Sequence, residues 1–427
     1  MLILVIVLVF FLLAMGIKVA WALGITGFVI AVSLFGVGGL RIIGSIAYDR
    51  GSSFALTCMP LFIFMGEMIM RSGMNDTVFG GMERLTRGVP GGILQTTIGT
   101  SAVFAASTGS NVACTATVAS VAYPSLVERG YPKELSATTI SAAGALGILI
   151  PPSMQFIIYA SLVGESISEL FIAGILPGVM LTFLFCGYIG MRALLQPHTF
   201  PAREKGHLIK NLYGLIKMWP IAILIFLVLF TMYLGIATPT EAAAFGAVGS
   251  LLLLFVYQRK DFFRILYAGS IAALRTTSMI MFLIIGASIF TFVLTHLRLT
   301  DMVLDGVSRW GVSPWVVFVL IGVVYIVLGM FLDAVSMMVL SLPILYPVVM
   351  HLGFNGVWFG VIVVIWLEVA WLTPPFCMGL FILSGITKIS IVKLIPEMIP
   401  FIGIFWVAIV IMYLFPDIAL WLVSMMK

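Results

Sequence analysis

Residues 89–127 carry no charged side chain, yet the small and polar run Ser107-Thr108-Gly109-Ser110-Asn111 lies at the middle of that stretch. One membrane crossing takes about 20 apolar residues, so the stretch is twice the length of a span and polar at its midpoint. Residues 311–350 repeat the pattern, with Asp333 as their sole charge, again near the centre. A chain turning inside lipid leaves backbone N–H and C=O groups without partners, so such a turn must be buried in protein or line a wet cavity. Each stretch is therefore predicted to be a re-entrant hairpin of two half-length helices with its tip at mid-depth.

The rest of the chain supplies the surrounding protein. Of 427 residues, 62% are hydrophobic and 9% charged, where an average soluble protein has about 25% charged. So few charges cannot cover a soluble surface. A cytosolic enzyme, a disordered chain and a nucleic-acid binder are excluded, and the lipid bilayer is the solvent. Breaks at charges, Gly and Pro predict spans at 2–17, 20–38, 53–71, 135–160, 168–195, 213–235, 240–257, 268–296, 356–384 and 398–424. The first lacks the basic n-region of a signal peptide and is predicted to be retained. Cys58, Cys114, Cys186 and Cys377 have no metal or redox spacing, which predicts ordinary packing.

The two halves repeat at an offset of 223 residues. Tyr123-Pro124 meets Tyr346-Pro347, Gly130-Tyr131 meets Gly353-Phe354, Pro151-Pro152 meets Pro374-Pro375, and Pro177 meets Pro400. Weak internal repeats of this kind are common in transporters. Repeats are predicted over 1–200 and 218–427, joined by a cytoplasmic connector at 201–217. Basic residues mark cytoplasmic loops, which places 197–217 and 258–264 inside. The first hairpin, flanked by Arg84, Arg87, Arg129 and Lys133, then opens inward, and the second outward. Five crossings plus one hairpin per half invert the second copy and put both termini outside.

Two constellations carry the chemistry. The first joins the tip Ser107–Asn111 to the break Gly147-Ile148-Leu149-Ile150-Pro151-Pro152-Ser153. The proline pair removes two backbone donors and is predicted to unwind the fifth span, leaving carbonyls beside the Ser107, Ser110 and Ser153 hydroxyls. Such oxygens suit a dehydrated Na⁺, and half-helix N-termini suit an anion. The second pairs Gly329-Met330-Phe331-Leu332-Asp333 with Ala370-Trp371-Leu372-Thr373-Pro374-Pro375, with Glu368 just before the break. A mid-depth carboxylate is costly without a partner or cavity. Asp333 is open to two readings, a pocket residue or a helix cap, and Glu368 to ionised and protonated ones, so proton coupling stays open. Thr238-Pro239-Thr240-Glu241 reads as a capped helix start, and Glu67 as a helix contact. His198, His207, His296 and His351 lack metal spacing, and no Walker, HExxH, GxSxG or dinucleotide motif is present.

The ordered series Phe104–Ala113, Gly130-Tyr131-Pro132, Gly147–Ser153, Ser166–Gly178, Thr238–Glu241, Gly329–Asp333 and Thr373-Pro374-Pro375 resembles the large membrane subunit of tripartite ATP-independent periplasmic (TRAP) transporters. The likeness covers nearly the whole chain. It implies an all-α polytopic protein, an inverted repeat with two re-entrant hairpins and two broken helices, in a bacterial inner membrane. It further implies Na⁺-driven import of an organic anion by an elevator motion, with a periplasmic binding protein and a separate small four-span membrane subunit as partners. One Na⁺ would fall at Ser107, Ser110, Gly147, Ile150 and Pro152, and a second at Gly329, Ala370, Thr373 and Phe376. Asn111, Ser153, Asp333 and Glu368 are the candidate substrate contacts. This chain departs from the family at Thr108 and Asn111, at Ala370 where Gly is usual, at Phe376-Cys377-Met378 where another Gly is usual, and at Trp366 where Asn is frequent; Trp366, Trp371 and Phe376 are expected to reshape the pocket. The rival readings are a binding-protein-independent carrier or antiporter of the same architecture and, from another class, an intramembrane enzyme or a channel.

Overall fold

The computed structural model describes residues 2–202, 208–311, 313–374 and 377–426. Among them every regular element is helical. Six helices of at least 18 residues are apolar enough to cross a membrane by length and composition.

Both charge-free stretches fold as helix–turn–helix pairs. The first hairpin has arms Ile93–Thr108 and Asn111–Glu128, the second Pro314–Gly329 and Ala334–His351. Gly109 closes the first arm with φ 58°, a left-handed conformation that a side chain disfavours. Ser110 then caps the second arm by accepting from Ala113 N at 3.4 Å. Each hairpin is followed by an interrupted span. Lys133–Ala145 passes through a 3₁₀ turn, Leu146–Ile148, and resumes as Met154–Val163; Gly356–Leu372 resumes as Met378–Thr387. The helices halt where the proline pairs stand, as their missing N–H groups require.

The duplication extends to element boundaries. Asn111 and Ala334 open the second arms, Glu128 and His351 close them, and Lys133 and Gly356 open the interrupted spans, each pair 223 residues apart. Packing between the halves is reciprocal. The second arm of the first hairpin lies on Met378–Thr387, and that of the second hairpin lies on Met154–Val163. Lys133–Ala145 packs on Ile391–Leu414, and Gly356–Leu372 on Ile167–Leu195. Contacts that map onto one another when partners are exchanged are the signature of a two-fold relation.

The remaining helices form a frame. Cys58–Arg71 packs on Pro239–Tyr257 and Phe262–His296, and Asn75–Thr86 packs on Leu208–Tyr233. A smaller core, including Leu23, Ile30, Ala287 and Phe290, joins Val19–Phe35 to Phe262–His296. There a methyl at Gly286 would stand 2.7 Å from Ala20 O, the close backbone approach that small residues allow between membrane helices.

Several expected boundaries shift. The span expected at 268–296 begins at Phe262, and that expected at 398–424 is Ile391–Leu414 followed by a short helix, Asp417–Ser424. Pro416 supplies no N–H to continue the longer helix. The expected connector 201–217 includes the start of Leu208–Tyr233. Val37–Gly51, Asn75–Thr86 and Leu299–Trp310 are helices that the span reading passed over, because their mixed charges broke the apolar runs.

Candidate functional site

The first tip rests directly on the first break. A methyl at Gly147 would lie 2.9 Å from the carbonyl carbon and oxygen of Ser110 and from Asn111 N, and one at Gly109 would lie 3.0 Å from Pro152 O. The absence of a side chain at each position lets two non-helical backbones meet. Ser110 and Gly147 thereby meet, and the tip also lies on Pro152 O, whereas Ser107 O lies against Gly66 and the Ile150 side chain against Gly178. The hydroxyls are engaged within the chain: Ser107 donates to Phe104 O at 2.9 Å, and Ser153 donates to Ile148 O. Their lone pairs remain acceptors, so the contact is rich in oxygen and lacks formal charge.

The second tip meets the helix Gly356–Leu372 just before the second break, against a side chain rather than backbone. A methyl at Gly329 would lie 2.3 Å from Ala370 Cβ. Thr373 donates to Val369 O at 2.6 Å, which ends Gly356–Leu372 with its hydroxyl held on its own helix. Phe376 lies outside the described residues, as does Pro375. Asp333 is the N-cap of Ala334–His351. Its carboxylate accepts from Val335 N at 3.1 Å and Ser336 N at 3.4 Å, so the capping reading describes its contacts.

Between the two breaks lies a set of buried polar atoms with no hydrogen-bond partner among the described residues: Asn111 Nδ2, Thr115 Oγ1, Ser141 Oγ, Trp371 Nε1 and both oxygens of Glu368. Glu368 is fully buried and Asn111 is 5% exposed. The Asn111 carboxamide faces the Glu368 carboxyl, and Cys114, one turn along the same arm, lies within its field. Ser141 Oγ and Trp371 Nε1 converge on Gly379, 2.3 and 2.6 Å from where its methyl would stand. Unsatisfied polar groups are rare in interiors because each costs about 1–3 kcal/mol. Other buried atoms without a partner among the described residues, such as Thr26 Oγ1, Ser288 Oγ and Trp366 Nε1, are placed elsewhere in the chain, so these six mark a candidate site by their residues and not by their number.

A family model described as "Tripartite ATP-independent periplasmic transporter, DctM component" matches residues 6–418. The chain belongs to this family. It is 29% identical over 405 residues to the C4-dicarboxylate TRAP transporter large permease protein DctM of Pseudomonas aeruginosa, covering 93% of each chain. It is 28% identical to the 2,3-diketo-L-gulonate TRAP transporter large permease protein YiaN of Escherichia coli, covering 95% of each. It is 30% identical to the isethionate TRAP transporter permease protein DctMQ of Oleidesulfovibrio alaskensis, over 95% of this chain and 64% of that one. Among solved structures, the Alcanivorax borkumensis YdaH transporter, whose crystal structure is described as having an unusual topology, shares its fold. The TM-score is 0.63 at 14% identity, covering 91% of this chain and 90% of that one.

This TRAP large subunit is thus a multi-pass membrane permease and not an enzyme, acting in substrate import with a binding protein and a small membrane subunit. Other features singled out in its sequence serve the fold. Thr238 and Glu241 form a complete capping box, and Glu67 pairs with Arg71 at 2.9 Å. Trp366, expected to reshape the pocket, instead stacks edge-on against Trp406 at 4.7 Å and fills the space over Gly322. Two residues before Glu368, it faces the opposite side of the helix, since successive residues turn about 100°. Sequence reading missed Thr115, Ser141 and Gly144. The available signal was spacing: Asn111 and Thr115 stand four apart on one helical face, and a methyl at Gly144 would lie 2.0 Å from Thr115 Oγ1.

Proposed function

We propose that this large subunit drives import of an organic anion with Na⁺, using an elevator motion of the paired hairpins and broken helices against the surrounding frame. The observation that carries this reading is the seating of the first hairpin tip on the first break, backbone to backbone at Gly147, matched by Gly329 packing on Ala370 just before the second break. The first contact offers carbonyls and hydroxyls, the hard oxygen donors that a weakly held hard cation takes. Ser107, Ser110, Gly147, Ile150 and Pro152 would hold one Na⁺, and Gly329, Ala370 and Thr373, with Phe376, a second.

An anion is best received at the tips. Asn111–Glu128 and Ala334–His351 begin there, and helix N-termini carry partial positive charge. Asn111 and Ser153 would contact the substrate, with Asp333 and Glu368 shaping the site. The substrates named for the relatives above are organic anions, which supports the same class here. Repeats over 1–200 and 218–427, inverted in a bacterial inner membrane with both termini outside and a separate four-span subunit beside them, complete the proposal.

Uptake into proteoliposomes holding both membrane subunits, with binding protein outside, tests it. Accumulation is expected when Na⁺ is high outside and is lost when choline replaces it. Accumulation driven equally by a proton gradient, or unaffected by omission of the binding protein, would overturn the corresponding part.

A further inference from the structure

If the paired hairpins and broken helices move as one body, whatever holds that body to the frame sets when it moves. One seam between them is apolar. Val339, on the second arm of the second hairpin, is fully buried in the smaller core with Leu283, Ala287 and Phe290 of Phe262–His296. Leu162, in the last turn of Met154–Val163, packs against the same core. Hydrophobic attraction is non-directional, so such a seam resists separation but fixes no position along it.

Arg50 adds a directional contact. It stands in the last turn of Val37–Gly51, a helix packed on Val19–Phe35 and Phe262–His296 and so part of the frame. Its Nη1 donates to Ser161 O at 2.8 Å. That oxygen is among the last four carbonyls of Met154–Val163, which a helix cannot satisfy from within, and a helix C-terminus carries partial negative charge. The guanidinium thus serves two such ends, its own helix's and that of the broken span. The end it holds is also tied to the other repeat: Tyr159 OH donates to Gly356 O at 2.8 Å, and Tyr346 OH to Glu165 at 2.6 Å. A grip on Ser161 is thereby a grip on both halves of the body.

The grip is one-sided. Ser384 stands 223 positions after Ser161, and its carbonyl accepts from Lys388 N at 2.9 Å, within its own stretch of chain. The position matching Arg50 is Ala273, which has no donor to offer from its side chain. Met378–Thr387 packs mainly on Asn111–Glu128 and Lys133–Ala145, elements of the body itself. A contact available in one position of the body shifts the balance toward that position.

We propose that Arg50 is a positioning residue for transport: it latches the body in the position the structure shows, and its bond to Ser161 O opens before the body moves along the frame. The proposal rests on the elevator reading above. Glu83 and Thr86 also reach the first hairpin, at Arg129 and Thr96, but Asn75–Thr86 leads directly into that hairpin through residues 87–92 and can follow it.

Separation of body from frame is read at Val339, on a different element from Ser161. Val339→Cys, a small apolar replacement, is exposed to a maleimide in the purified two-subunit membrane complex, and its peptide is followed by mass spectrometry. Adding Arg50→Met, which keeps length and removes the donors, is expected to speed labelling about tenfold, as loss of one hydrogen bond to a charged group allows. Arg50→Lys should stay near the parent rate. Fraying of the Met154–Val163 end alone would leave Val339 buried. The rise in Tm with NaCl over choline chloride should persist in each variant, since Arg50 lies outside both proposed cation sites. Labelling unchanged by Arg50→Met overturns the latch. In a second arm, Arg50→Cys/Ser161→Cys is bridged by a bis-maleimide of about the reach of an arginine side chain. Bridging is expected to stop Na⁺-driven uptake, with the parent chain, treated alike, unaffected; this arm serves also if Arg50→Met does not fold. Uptake that survives complete bridging overturns the latch and the elevator reading together. A block by bridging with no effect of Arg50→Met overturns the role of Arg50 and leaves the elevator reading intact.

Discussion

Gly147 shows how much one missing methyl can decide. A Cβ there would stand 2.9 Å from Ser110 and Asn111 backbone atoms, which cannot yield as a flexible side chain would. Gly147→Ala is therefore expected to lift the first tip from its break and weaken Na⁺ dependence of uptake about tenfold or more, since sub-ångström misplacement at a site is costly. The check is half-saturation by Na⁺ in proteoliposomes; an unchanged value contradicts the tip–break contact. The Thr238 cap provides a contrasting case away from that contact. Its hydroxyl accepts from Glu241 N at 3.3 Å, and the Glu241 carboxylate accepts from Thr238 N at 2.8 Å. Thr238→Ala should cost about 1 kcal/mol of stability, seen as a lower Tm with an unaltered Na⁺ response.

Among elements, the two interrupted spans are the ones whose irregularity has a purpose. Ala substitution of both Pro151 and Pro152 restores two N–H donors and the helical option. The double variant is expected to be at least as stable as the parent but to lose Na⁺-driven uptake, because carbonyls returned to a helix no longer face a cation. Retained uptake would count against carbonyl coordination at the break. Long helices depend on pairings that their own sequences do not reveal. Arg192 of Ile167–Leu195 meets Glu397 of Ile391–Leu414 through paired hydrogen bonds, one at 2.8 Å, with Tyr188 also accepting from Arg192 at 3.0 Å. The side chains are 22% and 27% exposed. Arg192→Met should destabilise by about 2 kcal/mol, less than a fully buried pair would lose. Denaturation of the wild type, Arg192→Met, Glu397→Met and the double variant closes the cycle that isolates the pair's own term.

For the whole molecule, the question is what slides on what. Gly66, in the frame helix Cys58–Arg71, lies under the first tip: its methyl would stand 3.1 Å from Ser107 O and 3.2 Å from Thr108 Cα. If the hairpin moves past the frame, Gly66→Ala adds a ridge to that track. The expected result is slower uptake at saturating Na⁺ with the Na⁺-dependent rise in Tm preserved; slowing and loss of Na⁺ response together would place the defect at the ion site instead. Contacts that join the two repeats, such as Tyr159 OH donating to Gly356 O at 2.8 Å and Tyr346 OH to Glu165 at 2.6 Å, fit their moving as one body.

The chain by itself determined its solvent, its duplication, its hairpins and its breaks. These depend on local chemistry: apolar length, the missing N–H of proline, and polar residues where lipid forbids exposed turns. It also brought out Ser110, Gly147 and Glu368, since a hydroxyl, a glycine or a carboxylate at mid-depth is conspicuous. What it could not decide was the use of each conspicuous group. Asp333 caps its own helix through its near neighbours Val335 and Ser336, and Trp366 packs away from the site because its direction depends on Trp406 and Gly322, which are distant in sequence. Thr115 and Ser141 read as ordinary small helix residues until packing set Thr115 Oγ1 against Gly144 and Ser141 Oγ against Gly379, each without a partner among the described residues. Only the tertiary structure could show that reciprocal packing, because it arises from the two-fold relation between the copies.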